Sequence, residues 1–218
     1  MAAPARHGAP VTHGRFITLE GGEGTGKSTQ TRRLVERLRA RGDTVVQTRE
    51  PGGSSGAEAI RNLVVAGDAE RWSPRTEILL MYAARSDHLE RTIRPALAEG
   101  SWVVCDRFAD SSRAYQGTGG GVASDFIEQL DAGIVGTDQP DLTLIFDLPV
   151  DVGLERAFGR GLFETRFESK GQAFHERLRQ GFLDIARRFP DRCVLIDADG
   201  SEDEVEVRVW ATLQARMS

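Results

Sequence analysis

The chain has 218 residues, of which 39% are hydrophobic and 28% are charged, which is enough for one domain with its own hydrophobic core. Its formal net charge of −5 argues against a polymeric nucleic acid as a ligand, because such ligands are bound by basic surfaces. No apolar run approaches the length that spans a membrane. We therefore expect a single domain at residues 15–218, after a flexible leader at residues 1–14 that lacks the apolar stretch of a secretory signal.

The first predicted strand, Phe16–Glu20, leads directly into Gly21–Ser28, which reads G-x-x-x-x-G-K-S. This spacing between a strand and a helix is typical of a phosphate-binding P-loop, whose glycines let backbone N–H groups point at phosphate oxygens. The N-terminal end of the next helix adds positive potential. We expect Lys27 to act as a catalytic residue at the β- and γ-phosphates, and Ser28 to bind Mg²⁺. The predicted ATP-binding residues are Gly21, Gly22, Glu23, Gly24, Thr25, Gly26, Lys27, Ser28 and Thr29.

Helices and one strand are predicted between the P-loop and residue 97. The first helix carries Leu34, Val35 and Leu38 on one face and ends near Gly42. The elements predicted to follow are a strand at Thr44–Thr48, a loop at Arg49–Gly53, a helix at Ala57–Val65 that carries Arg61, and one long helix within Pro74–Leu97.

The predicted strand Trp102–Asp106 ends in a carboxylate, and Arg107 follows it directly. In a parallel sheet this strand end can lie beside the P-loop, where Asp106 would hold Mg²⁺ or its water and Arg107 would bind a phosphate through its planar fork. The alternative is an ion pair on the surface, which would have no role in function.

The rest of the chain continues the alternation of strands and helices. Five apolar strands alternating with helices predict an α/β fold, with a parallel sheet covered by helices on both faces and ligands at the carboxyl ends of the strands. Residues 159–171 form a basic segment with Arg160 and Arg166, which suits either a lid over phosphates or an exposed loop. The elements predicted here are helices at Asp125–Ile134, Val152–Phe158, Phe174–Arg188 and Val205–Met217, and strands at Leu142–Asp147 and Cys193–Asp197.

The two cysteines, Cys105 and Cys193, both lie in apolar runs. We expect them to be reduced residues in the core of two strands, which is typical of a cytoplasmic protein. The four histidines show no spacing of metal ligands, so the sequence predicts no metal site built from them.

Taken together, several motifs resemble thymidylate kinase of the bacterial type, in the same order over nearly the whole chain from Arg15 onward. The resemblance implies a P-loop nucleotide kinase fold, with a five-stranded parallel sheet flanked by helices and a lid at about residues 159–171. It further implies a cytoplasmic homodimer that transfers a phosphoryl group from ATP, with Mg²⁺, to dTMP. The matching segments are Phe16–Gln30, Arg49–Gly53, Arg61, Cys105–Gly117, Pro140–Ala157 and Thr165–His175.

The resemblance also implies roles for individual residues. Glu23 would accept a hydrogen bond from the 3′-hydroxyl of dTMP. Gly24 stands where another subtype of the family carries a catalytic arginine, so Arg166, with Arg160 as second candidate, would supply that cation from the lid. Many relatives have Asp where Thr165 stands and Phe where Met81 stands. The implied substrate-binding residues are Glu23, Glu50, Pro51, Arg61, Met81, Arg85, Arg107, Ser112 and Gln116, and the implied catalytic residues are Lys27, Arg107, Arg166 and Arg160.

Two alternatives remain open from the sequence. The first is a P-loop kinase that acts on another nucleotide or on a nucleoside. The second, from a different class, is a nucleotide-binding regulator without turnover. A GTP-dependent switch is disfavoured, because Asn62 is the only asparagine and it is followed by Leu63, so the guanine-binding motif N-K-x-D is missing.

Overall fold

A five-stranded sheet forms the centre of the protein in a computed structural model that describes residues 14–67, 71–159 and 171–217. Its strands are β1 (Phe16–Gly21), β2 (Val45–Arg49), β3 (Trp102–Asp106), β4 (Leu142–Asp147) and β5 (Cys193–Asp197). All four strand pairings are parallel, and the strand order is β2-β3-β1-β4-β5. The carboxyl ends of β1 and β3 therefore lie side by side, with Leu19 paired to Asp106. This confirms the predicted sheet and the predicted position of Asp106 beside the P-loop.

Helices cover both faces of the sheet, as the sequence predicts. On one face α1 and α9 pack against apolar residues of β1 and β4. On the other face α3, α6 and α8 pack against the alternate residues of the same sheet, including Phe16, Val103 and Ile145. The α-helices of the described residues are α1 (Lys27–Ala40), α2 (Ser55–Val65), α3 (Pro74–His88), α4 (Arg94–Ala98), α5 (Ala109–Ser112), α6 (Ser124–Ile134), α7 (Val150–Gly159), α8 (Gln172–Arg188) and α9 (Glu202–Met217).

The long helix predicted within Pro74–Leu97 is interrupted. Its α-helical part α3 ends at His88, and a π-helical segment, Leu89–Ile93, joins it to α4. Pro95 accounts for the change, because it has no N–H to donate and its ring would collide with the carbonyl group one turn earlier. A widened π turn relieves that conflict without ending the helix.

A helical segment at residues 109–119 has no counterpart among the predicted elements. It consists of α5 and a π-helical segment, Arg113–Gly119. Its buried side includes ion pairs, in which Nη1 of Arg113 lies 3.0 Å from Oδ1 of Asp110 and Nη2 lies 2.7 Å from Oδ2 of Asp131. All three side chains are buried. Because charged residues occupy positions where an apolar stripe is expected, the hydrophobic pattern did not reveal this helix.

Both cysteines are free thiols buried in strands, Cys105 in β3 and Cys193 in β5, as predicted. No helix among residues 14–67, 71–159 and 171–217 is long and apolar enough to cross a membrane. The predicted leader, apart from Gly14, and residues 160–170 of the predicted lid lie outside the described residues.

Candidate active site

The P-loop joins β1 to α1 through backbone conformations that favour glycine. Gly24 and Gly26 have φ angles of 68° and 84°, in the left-handed region. The loop curls around Lys27, whose Nζ donates hydrogen bonds to the carbonyl oxygen of Gly22 at 2.5 Å and to Oγ1 of Thr25 at 3.2 Å. Burial, followed by the charge of Arg107, lowers the pKa of Lys27 to about 8. A bound phosphate would favour the charged form and offer a better acceptor than a carbonyl.

Gly24 packs directly against α7, the helix that leads toward residues 160–170. A Cβ atom on Gly24 would lie 1.8 Å from the carbonyl oxygen of Gly153, and one on Gly153 would lie 2.7 Å from that of Glu23. Cβ atoms in proteins essentially never approach another heavy atom so closely. The atoms that would be met belong to the backbone, which cannot move away as a flexible side chain can. This P-loop therefore has no room for the arginine that another subtype carries at the position of Gly24.

Two oxygen-bearing side chains meet beside the loop. Ser28 Oγ donates a hydrogen bond of 2.7 Å to Oδ2 of Asp106, the last residue of β3. A hydroxyl and a carboxylate are hard ligands, and Mg²⁺ is commonly held by one or two such groups together with substrate phosphates. The donor set therefore fits the predicted Mg²⁺ site at Ser28 and Asp106.

Arg107 is held in the left-handed region with a φ of 69°, the only such residue other than glycine among those described. Its guanidinium group donates to the carbonyl oxygen of Gly21 at 2.9 Å and to Glu23 Oε1 at 3.1 Å. The segment that follows β3 is held by Glu20, whose carboxylate accepts hydrogen bonds from the N–H of Phe108 at 2.7 Å and from Oγ of Ser111 at 2.6 Å. Burial, followed by the charge of Asp110, raises the pKa of Glu20 to about 7.

Glu23 faces the cavity from inside the P-loop. Its Oε1 accepts hydrogen bonds from Arg107 and from the hydroxyl group of Tyr115. Burial alone would raise the pKa of Glu23, but the charges of Arg107 and Lys27 outweigh it, so the pKa is lowered. A carboxylate that stays ionised is a strong acceptor for a sugar hydroxyl.

The far end of the site holds buried polar side chains from two helical segments. Arg85 donates from Nε to Glu50 Oε2 at 2.8 Å and from Nη2 to Ser112 Oγ at 3.0 Å. Its Nη1 has no hydrogen-bond partner among the described residues. Gln116 donates from Nε2 to Glu77 Oε1 at 2.9 Å.

The P-loop end and the far end line one continuous cavity of about 400 Å³. Three of the predicted ATP-binding residues lie elsewhere. Gly21 ends β1, Gly22 borders a smaller cavity, and Thr29 lies in the first turn of α1. Arg160 and Arg166 lie outside the described residues. The predicted residues that line the cavity are Glu23, Gly24, Thr25, Gly26, Lys27, Ser28, Glu50, Pro51, Arg61, Met81, Arg85, Asp106, Arg107, Ser112 and Gln116.

Sequence reasoning missed four polar residues that hold these side chains in place, namely Glu20, Glu77, His88 and Tyr115. His88 bridges Glu50, at 3.0 Å, and Thr48, at 2.7 Å. A signal was available for two of them, because Glu77 and His88 lie at helical spacing from Arg85 on the buried face of α3. Tyr115 is next to Gln116, inside a segment that carried the resemblance.

A P-loop at the end of the central strand of a parallel sheet, with Asp106 ending the neighbouring strand and Arg107 directly after it, is typical of P-loop nucleotide kinases. The family model for thymidylate kinase matches residues 19–209. A thymidylate kinase from Caulobacter vibrioides is 63% identical over 207 residues, covering 95% of this chain and 99% of the relative. One from Dinoroseobacter shibae is 54% identical over 200 residues, covering 92% and 96%.

A solved structure agrees with these relatives. The crystal structure of thymidylate kinase from Ehrlichia chaffeensis superposes with a TM-score of 0.76 at 34% identity, covering 93% of this chain and all of that one. The chain therefore belongs to the thymidylate kinase family. Family membership confirms the predicted enzyme class, a nucleoside monophosphate kinase, and the predicted activity, the phosphorylation of dTMP in dTTP synthesis.

Proposed function

We propose that this chain binds ATP at the P-loop and dTMP in the rest of the same cavity, and that it transfers the γ-phosphoryl group to the 5′-phosphate of dTMP. The observation that carries this proposal is that one cavity is lined both by the P-loop and by the residues expected to bind dTMP. Such a transfer depends on positioning two phosphates in line and on neutralising their charge, so no covalent intermediate is required.

On the ATP side, the backbone N–H groups of residues 21–29 surround the phosphates at the N-terminus of α1. Lys27 moves from the carbonyl oxygen of Gly22 to the β- and γ-phosphate oxygens, which are negatively charged and therefore better acceptors. Ser28 and Asp106, whose side chains meet at 2.7 Å, would hold Mg²⁺, and the ion would supply neutralisation of phosphate charge.

On the acceptor side, Arg107 and Arg61 bind the phosphate of dTMP. Arg61 is half-buried and donates to the carbonyl oxygen of Pro51 at 2.7 Å, Arg107 donates to that of Gly21 at 2.9 Å, and both arginines line the same cavity. Glu23 accepts a hydrogen bond from the 3′-hydroxyl of the sugar, and the hydroxyl group of Tyr115 holds its carboxylate in place. These contacts direct the acceptor phosphate toward Lys27.

At the base end, thymine lies between Met81 and the polar group formed by Arg85, Ser112 and Gln116. Met81 provides a polarisable apolar contact where many relatives have an aromatic ring. Arg85, supported by Glu50, donates to an acceptor on the base. The pyrimidine is thus recognised by hydrogen bonds at its edge and by packing at its face.

The transferring phosphoryl group still needs a cation, because Gly24 leaves no space for an arginine in the P-loop. Arg166 is the proposed source, with Arg160 as the second candidate, both in the proposed lid at about residues 159–171. We also propose that the enzyme is a cytoplasmic homodimer, which light scattering after size-exclusion chromatography would test.

A coupled assay of ADP release tests the proposed function. With ATP and Mg²⁺, dTMP should stimulate ADP release far more than dUMP, dCMP or AMP does. A preference for another acceptor would favour the alternative of a different nucleotide kinase. Binding of ATP without ADP release under any acceptor would favour a regulator.

A further inference from the structure

Both side chains that we propose to read the pyrimidine edge are anchored by buried glutamates. Arg85 is anchored by Glu50 and Gln116 by Glu77, with hydrogen bonds of 2.8 and 2.9 Å. All four side chains are nearly inaccessible, with exposures between 2% and 6%. In such an environment a hydrogen-bond pairing with the wrong polarity is costly, because water cannot replace the missing partner.

The carboxylate of Glu77 determines which way the amide of Gln116 faces. Oε1 of Glu77 accepts a hydrogen bond from Nε2 of Gln116, so the amide group turns its nitrogen toward Glu77. The opposite orientation would place the amide oxygen against a carboxylate oxygen. Because its amide nitrogen donates to Glu77, Gln116 presents its amide oxygen, an acceptor, to a ligand in the cavity that it lines.

Arg85 presents the opposite polarity. A guanidinium group only donates hydrogen bonds, and Arg85 lines the same cavity as Gln116. The base end therefore combines one acceptor, on Gln116, with donors on Arg85. Thymine and uracil match this combination, because N3 carries a hydrogen and O4 accepts. Cytosine reverses both, since its N3 accepts and its N4 donates.

We propose that Glu77 is a positioning residue that fixes the polarity of Gln116 and thereby makes the site select thymine and uracil over cytosine. This inference rests on the proposed function, because it requires dTMP to lie with its pyrimidine edge at Gln116 and Arg85. Glu77 acts through Gln116 and makes no contact with the reacting phosphates.

The isosteric change Glu77→Gln tests the inference, because a glutamine can either accept from the amide nitrogen of Gln116 or donate to its oxygen, so that Glu77 no longer fixes the orientation of that amide. Dissociation constants for dTMP, dUMP, dCMP and ATP are measured by isothermal titration calorimetry. The preference for dTMP over dCMP should fall by about tenfold or more, because the amide of Gln116 can then present either its oxygen or its nitrogen to the base. Binding of dCMP and ATP should not weaken, since Arg85 and the P-loop are unchanged.

The exchange variant Glu77→Gln with Gln116→Glu is the matched control. The amide introduced on α3 would donate to the carboxylate introduced on the facing segment, whose second oxygen again offers an acceptor to N3–H. The exchange variant should recover most of the native preference for dTMP over dCMP. If thermal melting shows that Glu77→Gln alone does not fold, the preference of the exchange variant decides the question.

Three results would overturn the inference: an unchanged preference for dTMP over dCMP in Glu77→Gln, an equal loss for all four ligands, or an exchange variant without preference for dTMP. A general structural role of Glu77 would produce the equal loss. Native protein that fails to phosphorylate dTMP would instead refute the proposed function. The two failures are therefore distinguishable.

Discussion

At the phosphate end of the cavity, ligand groups come mainly from one continuous stretch of backbone, residues 21–29, and the cations there donate to carbonyl oxygens, with Arg107 also paired to Glu23. Lys27 and Arg107 both rest on P-loop carbonyl groups that a phosphate can replace. At the base end, the groups come from separate helical segments and are locked by buried carboxylates, Glu50 and Glu77. Side chains at the phosphate end can exchange their hydrogen-bond partners when a ligand binds, and those at the base end are already ordered.

This difference indicates a division of labour. Cations that exchange a carbonyl for a phosphate can follow the charge as it moves during transfer, so they act on the transition state. Side chains locked before the ligand arrives provide discrimination, because a base of the wrong polarity leaves buried groups unpaired. Substitutions at the phosphate end should therefore change kcat, and substitutions at the base end should change the KM for dTMP.

The largest effect is expected from Lys27→Ala at the phosphate end. It removes the cation between the β- and γ-phosphates without blocking the loop, so kcat should fall by about 10³-fold or more. The affinity for dTMP, measured by calorimetry, should stay close to native. Circular dichroism checks that the variant is folded. A folded Lys27→Ala protein with near-native turnover would refute the P-loop assignment.

Arg166→Ala should produce the next largest effect. Because Gly24 cannot be replaced by arginine here, Arg166 should stabilise the transition state, and its loss should lower kcat by at least about 10²-fold with little change in the KM for dTMP. Arg160→Ala is the matched control and should cost less. Arg166→Lys should rescue only part of the rate, because an ammonium group lacks the planar fork. An unchanged kcat with a raised KM for ATP would make Arg166 a ground-state contact.

Arg85→Ala tests the base end. Loss of a charged donor should raise the KM for dTMP about tenfold or more while kcat changes little. Arg85→Lys controls for the loss of a cation beside Glu50, since it keeps a positive charge next to that carboxylate but loses the second donor to Ser112. Steady-state kinetics with dTMP varied decide the outcome. A fall in kcat with constant KM would contradict the division between the two ends.

Met81→Phe should have the smallest effect. Both side chains are apolar and similar in size, so the KM for dTMP should change by no more than about tenfold, in the direction of tighter binding if the ring stacks on thymine. Leu79→Phe, on an exposed position of α3, provides a control for a new ring on the same helix. Loss of dTMP binding in Met81→Phe alone would show that Met81 does not lie against the base.

Much of the phosphate end could be predicted, because its geometry is local. Gly21–Ser28 specifies a loop from adjacent residues, and Asp106 and Arg107 directly follow a strand whose apolar pattern is clear. The parallel sheet follows from the alternation of strands and helices. The helical segment at residues 109–119 was missed because Arg113 and Asp110 pair inside the protein, where the pattern calls for apolar residues.

The sequence by itself determined the P-loop and the strand ends beside it, since each depends on neighbours along the chain, whereas the candidates at the base end came from the resemblance to the family. The tertiary structure alone decided what those side chains present to a ligand. Gln116 faces Glu77, a residue 39 positions away, and Glu23 is held by Tyr115, 92 positions away. Burial lets such distant pairings decide the polarity of the site. A buried donor or acceptor cannot find a replacement partner in water, so only the matched arrangement is stable.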